Sequence, residues 1–158
     1  MSQRIVPAAL LLAGFFAVCA SGPAQAQGKK SDSVVLVTAT ATKPDASGKQ
    51  VVTVTMKMDK GWHTYANPVG LEDLKPAQTI VTVTGKAKPK EVKVDYPPGK
   101  LVKDKMLGDY RVYEDKVEIK AAVTRAKGDT GPLEVTVKIQ ACDEKTCLLP
   151  ASVKVMVP

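Results

Sequence analysis

The sequence predicts an all-β domain assembled from short antiparallel strands. Three observations carry that expectation. Apolar and polar residues alternate with period two in residues 50–58, 116–124, 133–140 and 151–157. Turn-forming clusters such as Pro44-Asp-Ala-Ser-Gly48 and residues 126–132 punctuate the chain at roughly ten-residue spacing. No stretch repeats its apolar residues at helical spacing over a helix's length. Seven to nine short strands in this rhythm are the pattern of an immunoglobulin-like β-sandwich.

The chain begins with residues that lie outside that fold. In residues 1–26, Arg4 supplies a positive start, residues 8–18 an apolar run, and Ala24-Gln25-Ala26 a small-residue cleavage site, the pattern of a secretory signal peptide. The apolar run is shorter than the ~20 residues needed to span a bilayer. Cys19 follows Val18, where a lipoprotein site requires a small residue. Cleavage after Ala26 removes Cys19, and residues 27–33 then form a polar, flexible lead-in to one domain over residues 34–158. A chain of that size can bury a core without a covalent staple.

Each strand follows from local chemistry. Residues 34–42 are rich in β-branched side chains. Residues 50–58 put Val52, Val54, Met56 and Met58 on one face and Thr53, Thr55 and Lys57 on the other. Asp59-Lys60-Gly61 turns the chain into a short aromatic strand, Trp62-His63-Thr64-Tyr65. Residues 67–76 read as a loop, residues 78–84 and 91–96 as strands, and Pro97-Pro98-Gly99 as a break. Residues 100–108 read as a long polar loop holding Met106 and Leu107. Strands over 110–113 and 116–124 follow.

The terminal segment carries the chemistry. Residues 133–140 and 151–157 are apolar at odd positions and flank Gln140-Ala-Cys-Asp-Glu-Lys-Thr-Cys-Leu-Leu-Pro150, so they form an antiparallel hairpin. Cys142 and Cys147 face each other across its mouth. Opposed strand positions have Cα atoms about 4.5–5.5 Å apart, within the range a disulfide needs. Alternation puts Cys142 on the polar face with Glu134 and Lys138. Pairing Cys142 with Cys147 in an unbroken ladder would set Val137 opposite Ser152 and turn Val153 and Val155 to the wrong face. Leu148-Leu149-Pro150 is expected to absorb that slip as a bulge, leaving the sulfurs at an irregular sheet end.

Composition excludes several classes. The 23 Lys and Arg against 16 Asp and Glu give a net charge of +7. The lysines are scattered and aromatics are few, so no nucleic-acid partner is expected. There is no Gly-rich phosphate loop, paired-carboxylate motif or Ser/His/Asp arrangement. No cofactor, resident metal or membrane span is expected, and the domain is expected to be monomeric.

In order along the chain, Gly61-Trp-His-Thr-Tyr65, Tyr96-Pro-Pro-Gly99, Val112-Tyr-Glu-Asp115 and the Cys142/Cys147 hairpin ending at Pro150 resemble the N-terminal periplasmic domain of DsbD, the thiol:disulfide interchange protein. The resemblance implies an immunoglobulin-like sandwich whose cysteine pair takes electrons from a thioredoxin-like domain. It implies delivery of those electrons to exported disulfide-bonded proteins in the periplasm. It also implies that a cap loop, Asp104-Lys105-Met106-Leu107-Gly108, shields the pair, with Met106 where better-known members carry an aromatic. Trp62 and Tyr65 match aromatics beside the site, and Cys147 corresponds to the partner-engaging cysteine. Two features depart from the pattern. The cysteines are separated by four residues, one fewer than in the well-studied members, and no thioredoxin-like or membrane domain follows. The electron donor, a thioredoxin-like domain or a membrane reductase, is therefore expected on a separate chain.

Two other readings remain open. The pair could be a structural disulfide in a binding module, although so short a loop gains only about 2 kcal/mol from closure. Met56, Met58, His63, Met106 and the thiols could bind Cu(I), which selects soft ligands, but no spacing gathers them. His63, the single histidine, reads as a packed residue of its aromatic strand.

Overall fold

A computed structural model describes residues 28–158; the signal-peptide reading of residues 1–26 lies outside them. Eleven strands run through the described residues: β1 (Val35–Ala41), β2 (Lys49–Met58), β3 (His63–Tyr65), β4 (Ile80–Gly85), β5 (Glu91–Asp95), β6 (Lys100–Val102), β7 (Tyr110–Glu114), β8 (Lys116–Thr124), β9 (Leu133–Ile139), β10 (Ala141–Cys142) and β11 (Ala151–Val157). All named pairings are antiparallel. The fold is the expected all-β sandwich with two more strands than foreseen. β6 and β10 are too short to show a period, and β6 lies within the segment read as a polar loop.

One layer is the sheet β1-β2-β8-β5. Val52, Val54 and Met56 of β2 and Ile119, Ala121 and Val123 of β8 turn inward from it. Facing them in the same core cluster are Leu133, Val135, Val137 and Ile139 of β9 and Val81 and Val83 of β4, which belong to the sheet β11-β9-β4. Strict alternation makes one face of each strand continuously apolar, and the two faces close on each other. The third sheet, β10-β3-β7-β6, is joined to both. β7 runs into β8 through Asp115, the one non-glycine residue at positive φ (53°) among those described. β9 runs into β10 through Gln140 alone. That second junction positions the cysteines.

The lead-in is docked where a flexible tail was expected. A 3-10 turn over Ser31–Ser33 follows a parallel bridge between Lys30 and Leu149. Ser31 is fully buried. Its hydroxyl donates to the Leu149 carbonyl (2.8 Å) and accepts from the Ala141 N–H (2.9 Å). Ser31 thus ties together the backbone that precedes Cys142 and the backbone that follows Cys147. A small side chain able both to donate and to accept is what this position uses.

Candidate functional site

The site grows out of the passage from β9 to β10. After Ile139 the chain leaves the β11 ladder at Gln140, and Ala141 and Cys142 pair instead with Thr64 and His63 of β3. Asp143 then folds the loop: its carboxylate accepts the Lys145 N–H (2.8 Å) and the Thr146 N–H (2.7 Å), and its own N–H donates to the Thr146 carbonyl (2.9 Å). The Lys145 and Thr146 amides hold the Asp143 carboxyl below its usual range. Cys147 returns opposite Cys142 in an antiparallel bridge, with Cα atoms 4.0 Å apart and a disulfide of 2.01 Å.

The expected register slip is visible. Cys142 pairs with Cys147, whereas β11 resumes with Ala151 opposite Ile139 and Val153 opposite Val137. Two residues, Gln140 and Ala141, oppose three, Leu148, Leu149 and Pro150. The additional residue lets both valines of β11 keep their face. The expected exposure of Cys142 is corrected. Because the chain changes sheets at Gln140, Cys142 is re-aimed inward and is only 2% exposed, while Cys147 is exposed.

A single open cavity is lined by both cysteines, His63, Tyr65, Tyr110 and Glu114, with Val102, Val112 and the polar loop residues 143–146 completing it. Tyr65 Oη lies 3.7 Å from Cys142 Sγ. A disulfide sulfur has no proton, so the phenol is the donor. Burial raises the Tyr65 pKa above its ordinary value, with Tyr110 adding to the shift, and the donor stays protonated. The His63 ring meets Tyr65 edge-on (centroids 6.0 Å, 85°), and Tyr65 meets Tyr110 at 5.9 Å. Burial holds the His63 imidazole below its usual value, against the pull of Glu114 and Asp143.

Of the residues singled out from sequence, Cys142, Cys147 and Tyr65 meet here. Trp62 packs against the core cluster and does not line the cavity. Asp104, Lys105, Met106, Leu107 and Gly108 form the tip of the β6–β7 hairpin, whose flanking Val102 and Tyr110 reach the cavity. The tip itself is open to solvent, with Met106 95% and Leu107 61% exposed, and neither side chain lines the cavity. Asp104 is the cause, since its carboxylate accepts the Met106 and Leu107 N–H groups (2.8 and 2.9 Å) and curls the tip outward before Gly108, at φ 101°. Those amides hold the Asp104 carboxyl below its usual range.

His63, Tyr110 and Glu114 were not read as site residues from sequence. The one available signal was the i, i+2 spacing that puts His63 and Tyr65 on one strand face. Met56 and Met58 are buried in the core and no methionine lines the cavity. The soft donors weighed for Cu(I) are thus not brought together.

Comparison with known proteins places these features. The family model for the thiol:disulfide interchange protein DsbD, N-terminal, matches residues 32–157. No curated protein matches the chain. Among solved structures, the N-terminal periplasmic domain of ScsB from Proteus mirabilis aligns with a TM-score of 0.53 at 15% identity, covering 77% of this chain and 44% of that one. The chain therefore spans less than half of the ScsB structure, and at this identity the likeness concerns the fold. The reduced DsbD N-terminal domain of Neisseria meningitidis aligns with a TM-score of 0.46 at 16% identity, over 79% of this chain and 85% of that one. The complex of the DsbD and PilB N-terminal domains from the same organism gives 0.44 at 17% identity, over 75% and 80%. With the family model covering nearly all of the described fold and a cysteine pair closed at its sheet junction, the chain belongs to the DsbD N-terminal family.

Proposed function

We propose that this domain is a periplasmic thiol–disulfide exchange module that relays electrons through Cys142 and Cys147. The observation that carries the reading is the asymmetry of the pair: Cys142 is 2% exposed, whereas Cys147 is exposed beside the irregular Leu148-Leu149-Pro150 segment. Only one sulfur is presented for the in-line attack that exchange requires. A donor thiolate attacks Cys147 Sγ, forming a mixed disulfide and releasing Cys142 as a thiolate. The donor's second thiol then breaks the mixed disulfide and leaves this pair reduced. In the forward half, the Cys147 thiolate attacks an acceptor disulfide, and Cys142 attacks Cys147 to release the acceptor as a dithiol. Two electrons pass in each half. The donor is a thioredoxin-like domain or membrane reductase, and the acceptors are exported disulfide-bonded proteins. The domain works as a monomer.

Single-cysteine variants test this. A thioredoxin-like partner is reduced to one cysteine and activated as its thionitrobenzoate adduct. Cys142→Ala should displace the thionitrobenzoate and accumulate a covalent complex on non-reducing gels; Cys147→Ala should not. Trapping by Cys147→Ala alone would reverse the roles. Trapping by neither, with both variants folded, would leave the domain as a binding module with a structural disulfide.

A further inference from the structure

The register of the third sheet places three chemically distinct side chains in a row across β10, β3 and β7. Cys142 stands opposite His63, and His63 stands opposite Glu114. All three line the cavity that holds the disulfide. Residues directly opposed in an antiparallel pair have Cβ atoms about 4.5–5.5 Å apart, so an imidazole on His63 can reach a sulfur on Cys142. Tyr65, two residues along the same face, touches both: its ring meets His63 and its hydroxyl lies 3.7 Å from Cys142 Sγ.

The buried position of Cys142 creates a need for such a neighbour. Burial disfavours a thiolate and keeps a thiol protonated, yet only the thiolate attacks a disulfide. We propose that His63 is the base that takes the proton from the Cys142 thiol when Cys142 resolves the mixed disulfide on Cys147. This inference rests on the exchange function proposed above. In the step, an imidazole nitrogen of His63 accepts the Cys142 proton and Cys142 Sγ attacks Cys147 Sγ. The Cys142–Cys147 bond forms, the bond from Cys147 to the partner breaks, and the partner's sulfur leaves as a thiolate with the electron pair. The imidazolium then returns its proton to that thiolate or to water.

The surroundings favour a neutral, proton-accepting ring. Glu114 on β7 faces His63 but is itself held by Lys100 of β6 at 2.7 Å. Asp143, Glu144 and Lys145 border the cavity from the cysteine loop, and Tyr65 and Tyr110 supply the remaining titratable groups. Against the two carboxylates, burial keeps the ring below its ordinary pKa, so the neutral form predominates near neutral pH.

The reduced protein is mixed with Ellman's reagent in a stopped-flow instrument. Thionitrobenzoate appears in two phases, one for attack by Cys147 and one for resolution by Cys142. In the unsubstituted protein the second phase should bend at an acidic pKa below 6.5, the usual histidine value, and run flat through neutrality. In His63→Gln the ratio of second-phase to first-phase rates at neutral pH should fall on the order of 100-fold, the scale of general-base catalysis. Its second phase should then climb with pH as an unaided thiol does. A ratio that changes less than about threefold, or an unsubstituted profile without the acidic bend, overturns the role of His63 and leaves the exchange function standing. Release of only one equivalent, or of none, removes the exchange function itself. A profile lost together with the near-ultraviolet circular dichroism of His63→Gln is resolved by the unsubstituted protein, whose bend must still appear.

Discussion

Replacing Ser31 with Ala perturbs a side chain that binds the backbone on both sides of the cysteine pair. The hydroxyl makes two hydrogen bonds, but their losses are unequal. The Leu149 carbonyl also accepts the Ser31 N–H at 2.9 Å and keeps that partner. The Ala141 N–H has only Ser31 Oγ, and both Ala141 and Ser31 are fully buried, so it becomes an orphaned donor. Such a group costs about 1–3 kcal/mol, more than the net value of an ordinary hydrogen bond. With a urea m-value of about 1–3 kcal/mol/M, the unfolding midpoint should fall by roughly 1 M at constant m. Urea titration followed by tryptophan fluorescence of Trp62 reads this directly. Ser33→Ala is the control, because Ser33 Oγ makes only a local, exposed bond to the Lys30 carbonyl; its effect should stay within about 0.5 kcal/mol. A Ser31→Ala loss no larger than that of the control would refute the reasoning, since it would show that the Ala141 amide is not dependent on the hydroxyl.

Two further positions probe the framework of the fold. A Cβ at Gly99 would lie 2.5 Å from Ala66 Cβ and 2.9 Å from the Val112 carbonyl oxygen, with no flexible side chain to yield. Gly99→Ala should therefore lower the thermal midpoint by about 5 °C or more, given overpacking costs of about 1–3 kcal/mol; an unchanged midpoint in calorimetry would show that this junction is looser than described. Arg125 is 3% exposed, contacts Gln50 Oε1 through Nε, and donates from Nη1 to the Gly131 carbonyl (2.6 Å) and Asp129 Oδ2 (3.2 Å). Arg125→Met strands the largely buried Asp129 carboxylate and should cost about 3 kcal/mol, with Arg125→Lys recovering little because an ammonium cannot fork to three partners; chemical denaturation showing either variant at full stability would count against this.

Much of this molecule was legible in the order of its residues. Residues 50–58 and 116–124 alternate regularly; Val52, Val54 and Met56 are in the core as expected, and Ile119, Ala121 and Val123 join them there. The mismatch between a Cys142–Cys147 pair and the valines of residues 153–155 was also visible, and with it the bulge at Leu148-Leu149-Pro150. Less legible was everything that depends on a partner strand. β6 and β10, of three and two residues, have no period to detect. Nothing near Ser31 announces that it closes on Leu149, 118 positions away. The outward curl of Met106 follows from one carboxylate choosing the amides of its own turn.

The sequence by itself determined which residues face inward within each strand, because alternation is a property of one segment and is written into consecutive side chains. It also determined that two cysteines meet across a short hairpin, because two alternating strands flank the four-residue polar turn between them. Only the tertiary structure decided that Cys142 is buried and Cys147 exposed, that His63 lies between Cys142 and Glu114, and that Ser31 locks the loop. Those facts rest on which strand each ladder joins. A backbone N–H or C=O carries the same donor or acceptor on every residue, so local chemistry does not name its partner. The choice at Gln140, where the chain leaves β11 for β3, is made by how the two layers close over their shared core.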